Sequence, residues 1–137
     1  MTNDKIDVQH IDHVTVVVSD LDTTHDFYVN VLGMRQVARP AFSFPGLWFQ
    51  AGETLVHATL QSDEAGRAGW GDRDVRIISR GHHFAFLVAD AAAAADVLRE
   101  RGVSIASGPQ TRPDGAVQVY LHDPDGHLIE LFSMPDA

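Results

Sequence analysis

The chain has 137 residues, enough for one well-packed domain and too few for two independent ones. A formal net charge of -9 without any basic stripe argues against nucleic-acid binding, and the lack of cysteine leaves only histidine and carboxylate side chains to hold a metal. Residues 1–9 are polar and no apolar run approaches the ~20 residues needed to cross a bilayer, so we expect a cytoplasmic protein without membrane contact.

The first half of the chain predicts one helix among four strands. Asp20 is placed to cap a helix over residues 21–32, and Gly33 is placed to end it. The predicted strands are rich in β-branched and aromatic residues and are bounded by turn residues; they span residues 11–18, 34–39, 47–50 and 54–61. His13 lies near the start of the first strand, and His57 lies in the last.

The second half repeats this plan after a polar linker. The linker, residues 62–80, contains several glycines and is long enough to suspect a functional flap. A helix is predicted over residues 90–101, and strands are predicted at residues 83–89, 103–107, 116–122 and 127–133. His83 lies at the start of the first of these strands, and Glu130 lies in the last.

The two halves are copies of one unit. His13 and Asp20 recur as His83 and Asp90 after about 70 residues, and each half has the element order βαβββ. Equivalent positions should therefore meet in pairs if a pseudo-twofold axis relates the two units. The chain is then one domain over residues 1–137, with module one at about 9–61, the linker at about 62–80 and module two at about 81–134.

Four positions related by the repeat carry side chains that bind metals. They are His13 and His83 in the first strands and His57 and Glu130 in the last strands. Three imidazoles and one carboxylate suit a divalent transition metal (Zn, Ni, Co, Mn or Fe(II)) better than Ca or Mg, which prefer oxygen ligands. The remaining histidines are predicted to be surface residues: His10, His25, His82, His122 and His127.

Several short motifs also carry a family resemblance. They are Ile11-Asp12-His13-Val14, Asp26-Phe27-Tyr28, Val31-Leu32-Gly33-Met34, His83-Phe84-Ala85-Phe86, Asp123-Pro124-Asp125-Gly126 and Leu128-Ile129-Glu130-Leu131. Together they resemble the vicinal oxygen chelate superfamily, which includes glyoxalase I, methylmalonyl-CoA epimerase, fosfomycin-resistance enzymes, extradiol dioxygenases and bleomycin-binding proteins. The resemblance implies an α+β fold in which two paired βαβββ modules form a cupped eight-stranded mixed sheet around a metal that chelates two neighbouring substrate oxygens.

The resemblance implies a metal-dependent lyase or isomerase similar to glyoxalase I. Such an enzyme acts through an enediolate-type intermediate, with Glu130 as metal ligand and general base. Glyoxalase I fills all four ligand positions, as this chain does. An Fe(II) extradiol-type dioxygenase is the first alternative, because dioxygenases resemble the chain at His13, His83 and Glu130 only. A small-molecule binding or resistance protein is the second, although the bleomycin binders lack these ligands.

The resemblance also bears on the substrate and on assembly. Val17 stands where glyoxalase I commonly has an arginine, so the substrate is expected to be smaller or more apolar than a glutathione adduct. Candidate residues for binding this small-molecule substrate are Phe44, Trp48, Gln61, Trp70 and Arg80. In glyoxalase-like relatives, module one commonly closes against module two of a partner, which implies a homodimer whose sites each combine His13 and His57 of one chain with His83 and Glu130 of the other.

Overall fold

The computed structural model describes residues 5–70 and 80–135, which form two modules of the same topology. Module one contains strands β1 (His13–Val18), β2 (Arg35–Val37), β3 (Gly46–Ala51) and β4 (Thr54–Leu60), with helix α1 (Leu21–His25) after β1. Module two contains β5 (His83–Leu87), β6 (Ile105–Thr111), β7 (Val117–His122) and β8 (Leu128–Ser133), with helix α2 (Ala91–Glu100) after β5. The prediction of two βαβββ modules is confirmed.

Each module builds a four-stranded mixed sheet. The strand orders are β1-β4-β3-β2 and β5-β8-β7-β6, so the first strand of each module lies at a sheet edge, parallel to the fourth. The registers are equivalent: Thr15 pairs with His57 in module one, and Ala85 pairs with Glu130 in module two. His13 lies two residues before Thr15, the residue that pairs with His57. His83 lies likewise two residues before Ala85, the residue that pairs with Glu130.

The helix of module one begins as predicted and then widens. The Asp20 side chain accepts a hydrogen bond from the Thr23 backbone N–H at 2.8 Å, which caps α1. From Asp26 to Val31 the chain continues as a π-helix, in which wider turns of the backbone replace the α-helical ones. These turns carry Phe27 and Tyr28 into the core. The apolar spacing predicted the helix but did not reveal the change of pitch.

One hydrophobic core joins the two modules. It contains the inner faces of both sheets and the buried sides of both helices, including Val16, Phe49, Leu98, Ile129 and Leu131. Polar bonds also cross between the modules: the buried Tyr28 hydroxyl donates to Asp123 Oδ2 at 2.8 Å, and the Ser19 hydroxyl donates to Asp125 Oδ1 at 2.6 Å. Within residues 5–70 and 80–135, no helix is long and apolar enough to cross a membrane.

The prediction that His127 is a surface residue was wrong. Its side chain is fully buried, and its Nδ1 lies 2.7 Å from Asp123 Oδ2. The Asp-Pro-Asp-Gly turn places Asp123 four residues before His127, so the carboxylate can pair with the imidazole and offset the cost of burying it.

Several strand boundaries also differ from the prediction, most clearly in β2 and β6. The strand expected at residues 34–39 is limited to β2, which ends before Arg39 and Pro40. Strand β6 extends to Thr111, beyond the end expected at residue 107. Because β6 is an edge strand, Pro109 can occupy it without removing a hydrogen bond from an inner ladder.

Candidate metal site and adjoining pocket

The ligand candidates of module one lie together on one face of its sheet. The rings of His13 and His57 are stacked, with centroids 3.9 Å apart and an interplanar angle of 12°. His13 Nδ1 lies 2.8 Å from the Asp12 carboxylate, which only accepts, so this nitrogen donates the proton. In the neutral imidazole of His13, Nε2 then keeps its lone pair, as a metal ligand requires.

His57 is set up to be a neutral imidazole. Burial lowers its pKa, and the charge of the neighbouring His13 lowers the pKa further. Its Nε2 is buried and has no hydrogen-bond partner among the residues that the structure describes. A buried nitrogen without a partner is costly, typically by about 1–3 kcal/mol, and calls for an explanation.

The ligand candidates of module two also meet. His83 Nε2 lies 3.1 Å from Glu130 Oε1, and the Glu130 side chain is only 6% exposed. His83 Nδ1 lies 2.8 Å from the carbonyl oxygen of Gly81 and donates to it, so Nε2 of the neutral ring carries a lone pair. This lone pair and the carboxylate are two acceptors that face each other. A cation, either a proton or a metal, must lie between them.

The donor set fits the metal that the resemblance implies. All four side chains are nitrogen or carboxylate donors, and their geometry leaves lone pairs available on three imidazoles. The 3.1 Å between His83 Nε2 and Glu130 Oε1 matches the roughly 3 Å between neighbouring ligand atoms on a metal with bonds of about 2.1 Å. The orphaned Nε2 of His57 is explained if it too binds the metal.

The two pairs do not form one cluster within a chain. Across residues 5–70 and 80–135, no group of three or more His, Asp or Glu side chains is close enough to hold one ion. One chain thus presents two separate pairs of candidate ligands, which we call half-sites: His13 with His57 on module one, and His83 with Glu130 on module two.

Two polar neighbours orient the Glu130 carboxylate, and neither was predicted from the sequence. Gln118 Nε2 donates to Glu130 Oε2 at 3.2 Å and to the Tyr120 hydroxyl at 3.1 Å. Burial raises the pKa of Tyr120, and the hydrogen bond to Glu130 raises the pKa further. Alternation along β7 places Gln118 and Tyr120 on one face, but only the strand pairing shows that this face carries Glu130.

A pocket of about 660 Å³ adjoins the half-site of module one. Its aromatic lining includes two of the predicted substrate-binding residues, Phe44 and Trp48, together with Phe42. The Trp48 ring lies parallel to the His57 ring at 4.0 Å between centroids. The pocket therefore leads directly to the candidate ligands.

The other predicted substrate-binding residues lie outside this pocket. Gln61 accepts a hydrogen bond from the Ala68 backbone N–H at 3.2 Å through its side-chain oxygen. Trp70 packs edge-on against Phe84 and His127, with centroid distances of 6.0 and 5.4 Å. Arg80 is exposed at the start of module two. The linker residues 71–79, where a flap was suspected, lie outside the described part of the chain.

Comparisons with known proteins cover nearly the whole chain. The sequence model of the family described as Glyoxalase/Bleomycin resistance protein/Dioxygenase superfamily matches residues 10–131. A lactoylglutathione lyase of Escherichia coli O157:H7 is 28% identical over 134 residues, covering 91% of this chain and 93% of that protein. A virulence protein of Salmonella typhimurium is 31% identical over 132 residues, covering 90% and 83%. The solved structure of a glyoxalase/dioxygenase from Nostoc punctiforme has a TM-score of 0.76 at 24% identity, covering 99% and 100%.

Proposed function

The chain belongs to the Glyoxalase/Bleomycin resistance protein/Dioxygenase superfamily, and from this we propose that it is a metal-dependent lyase or isomerase resembling glyoxalase I. Its substrate is a small molecule with two neighbouring oxygens, converted through an enediolate-type intermediate. The similarity to lactoylglutathione lyases supports this choice. The observation that carries it is the contact between His83 Nε2 and Glu130 Oε1, 3.1 Å apart, because one metal ion could bind both atoms.

The residues that would hold the metal in this proposal are His13, His57, His83 and Glu130. The donor set suits Zn, Ni, Co, Mn or Fe(II). When bound, such an ion supplies Lewis-acid polarisation of a substrate carbonyl. The hydrogen bonds from His13 to Asp12 and from His83 to Gly81 fix which ring nitrogen is free to bind.

Glu130 is the general base as well as a ligand. It would remove the proton next to the substrate carbonyl through Oε1, the carboxylate oxygen that faces His83. Gln118 holds Oε2 at 3.2 Å, so the carboxylate keeps a fixed orientation while Oε1 faces His83. The Tyr120 hydroxyl, whose pKa is raised by burial and by its hydrogen bond to Glu130, stabilises the ionised carboxylate.

Each complete site combines module one of one chain with module two of a second chain in a homodimer. Two observations support this assembly. The half-sites do not meet within the described residues of one chain, and both first strands, β1 and β5, lie at sheet edges that can accept another strand. Large apolar side chains are also exposed at the end of β5, Leu87, and shortly before β1 in the sequence, Ile11. A dimer would cover them.

An Fe(II) extradiol-type dioxygenase is the second candidate, and the position of His57 favours it. The His57 ring is stacked between Trp48 and His13, at 4.0 and 3.9 Å. Lone pairs of two stacked imidazoles run nearly parallel and do not converge on one point. A site with His13, His83 and Glu130 alone would have two histidines and one carboxylate, the arrangement of non-haem Fe(II) oxygenases.

Metal analysis and oxygen dependence distinguish the two candidates. The purified protein should contain about one divalent metal per chain, and lyase or isomerase activity on 1,2-dicarbonyl adducts or α-hydroxy ketones should be the same with and without oxygen. Turnover that requires both iron and oxygen would establish the second candidate. Protein without metal, and without affinity for added Zn²⁺ or Ni²⁺, would contradict both.

A further inference from the structure

A row of rings in contact leads from solvent to the half-site of module one; the rings are stacked except at the tilted contact between Phe42 and Trp48. In order, the rings belong to Phe44, Phe42, Trp48, His57 and His13. Successive centroids are 5.1, 6.1, 4.0 and 3.9 Å apart. We call this row the aromatic ladder. It connects the surface of the pocket with two of the candidate ligands without a polar interruption.

The outer end of the aromatic ladder is exposed but held in place. Phe42 and Phe44 are 46% and 45% exposed. The Arg39 guanidinium lies 4.9 Å from the centroids of both rings and donates to the Phe44 carbonyl at 2.8 Å. Such cation-π contacts and the hydrogen bond reduce the freedom of the loop. Exposed, preorganised aromatic rings beside a candidate metal site mark a ligand-binding surface.

Charge near the aromatic ladder disfavours a polyanionic substrate. The pocket carries the carboxylates of Asp12 and Glu64. The one arginine that lines it within the described residues, Arg39, already uses its guanidinium on two rings and a carbonyl. A glutathione adduct brings two carboxylates, which would meet like charges here. A flat apolar group would instead replace water on the exposed faces of Phe42 and Phe44.

Resting on the proposed chelation of neighbouring oxygens, we propose that the substrate is an aryl compound. Its aromatic ring is attached directly to the carbon unit that bears the two oxygens, and it carries no glutathione. The ring packs on Phe42 and Phe44 at the outer end of the aromatic ladder, while the oxygens point towards His13 and His57. The aromatic ladder thus determines specificity, separately from the metal ligands.

Mandelate and lactate test this proposal directly. Both are α-hydroxy acids with the same chelating oxygens, and they differ only in a phenyl or methyl group. The dissociation constant of each for the Zn²⁺-loaded protein is measured by titration calorimetry. We expect mandelate to bind about tenfold more tightly, which corresponds to ~1.4 kcal/mol. In the double variant Phe42→Ala/Phe44→Ala, this ratio should fall to about twofold while the affinity for lactate stays unchanged.

The matched control removes an exposed apolar side chain elsewhere. Met134 is 51% exposed, and Met134→Ala should leave the mandelate-to-lactate ratio at its wild-type value. Equal affinity for the two acids in wild-type protein would overturn the aryl proposal and leave the proposed function intact. A tenfold ratio that persists in the double variant would also overturn it. Failure of both acids to bind the metal-loaded protein would instead contradict the proposed chelation, and the inference would fall with it.

Discussion

Replacing His57 by phenylalanine should stabilise the metal-free protein while it abolishes tight metal binding. The phenyl ring keeps the stacking between Trp48 and His13, and it removes Nε2, which is buried without a hydrogen-bond partner in the described part of the chain. An unsatisfied buried nitrogen costs about 1–3 kcal/mol. Taking the lower end, because phenylalanine is slightly larger than histidine, we expect the free energy of unfolding to rise by ~1 kcal/mol and the Tm to rise by about 3–5 °C.

The same substitution should weaken the metal affinity by more than about 100-fold. Loss of a direct ligand exceeds the 10 to 100-fold effect of changing a neighbouring residue that only orients a ligand. Thermal unfolding of chelator-treated protein at fixed protomer concentration and competitive Zn²⁺ titration measure the two effects.

His13→Phe is the matched control for the His57 substitution. His13 Nδ1 is paired with Asp12 and its side chain is 42% exposed, so this variant should lose metal without gaining stability. A lower Tm for metal-free His57→Phe would refute the reasoning about its buried nitrogen. Unchanged metal affinity would remove His57 from the ligand set and favour the dioxygenase.

Three further substitutions and one control test the metal site and the contact between modules. His83→Ala and Glu130→Ala should each remove most of the bound metal, measured by elemental analysis. The control His82→Ala, at the exposed neighbouring histidine, should leave the metal content near one equivalent per chain. Retention of metal in both His83→Ala and Glu130→Ala would exclude these residues as ligands. Tyr28→Phe removes a buried hydrogen bond of 2.8 Å to the Asp123 carboxylate and should lower the free energy of unfolding by about 1.5–3 kcal/mol in urea, with metal content unchanged. No loss of stability would show that the bond between the modules contributes nothing.

Much of the fold could be predicted because the sequence contains two copies of one structural unit. The strand patterns, the capping residues Asp20 and Asp90, and the recurrence of histidine after about 70 residues all lead to two βαβββ modules. The equivalent pairing of Thr15 with His57 and of Ala85 with Glu130 follows the same repeat. Local pattern and duplication agree here, which makes such predictions secure.

The features that could not be predicted depend on contacts between distant segments. The π-helix from Asp26 to Val31 has the same apolar residues that an α-helix would bury. Burial of His127 depends on its pairing with the Asp123 carboxylate. This carboxylate also accepts a hydrogen bond from the Tyr28 hydroxyl of the other module. The role of Gln118 beside Glu130 requires the register of β7 against β8, which no local pattern encodes.

The separation of the candidate ligands into two pairs was implied by the family resemblance and not by any local sequence pattern. The repeat relates His13 to His83 and His57 to Glu130, but it does not say whether the two modules of one chain turn these side chains towards each other. In the described residues they form separate half-sites. The common core of the two modules, formed by the buried faces of sheets and helices, fixes this arrangement.

A subunit-mixing experiment tests the shared metal site most directly. His13→Ala and Glu130→Ala each disable a different half-site, so each variant alone should bind almost no Zn²⁺. When equal amounts are mixed and subunits exchange at random, half of the dimers are mixed, and one of their two sites then combines two intact half-sites. Zn²⁺ binding should therefore recover to roughly a quarter of the wild-type value. No recovery, with exchange verified by native mass spectrometry, would contradict a site built from two chains.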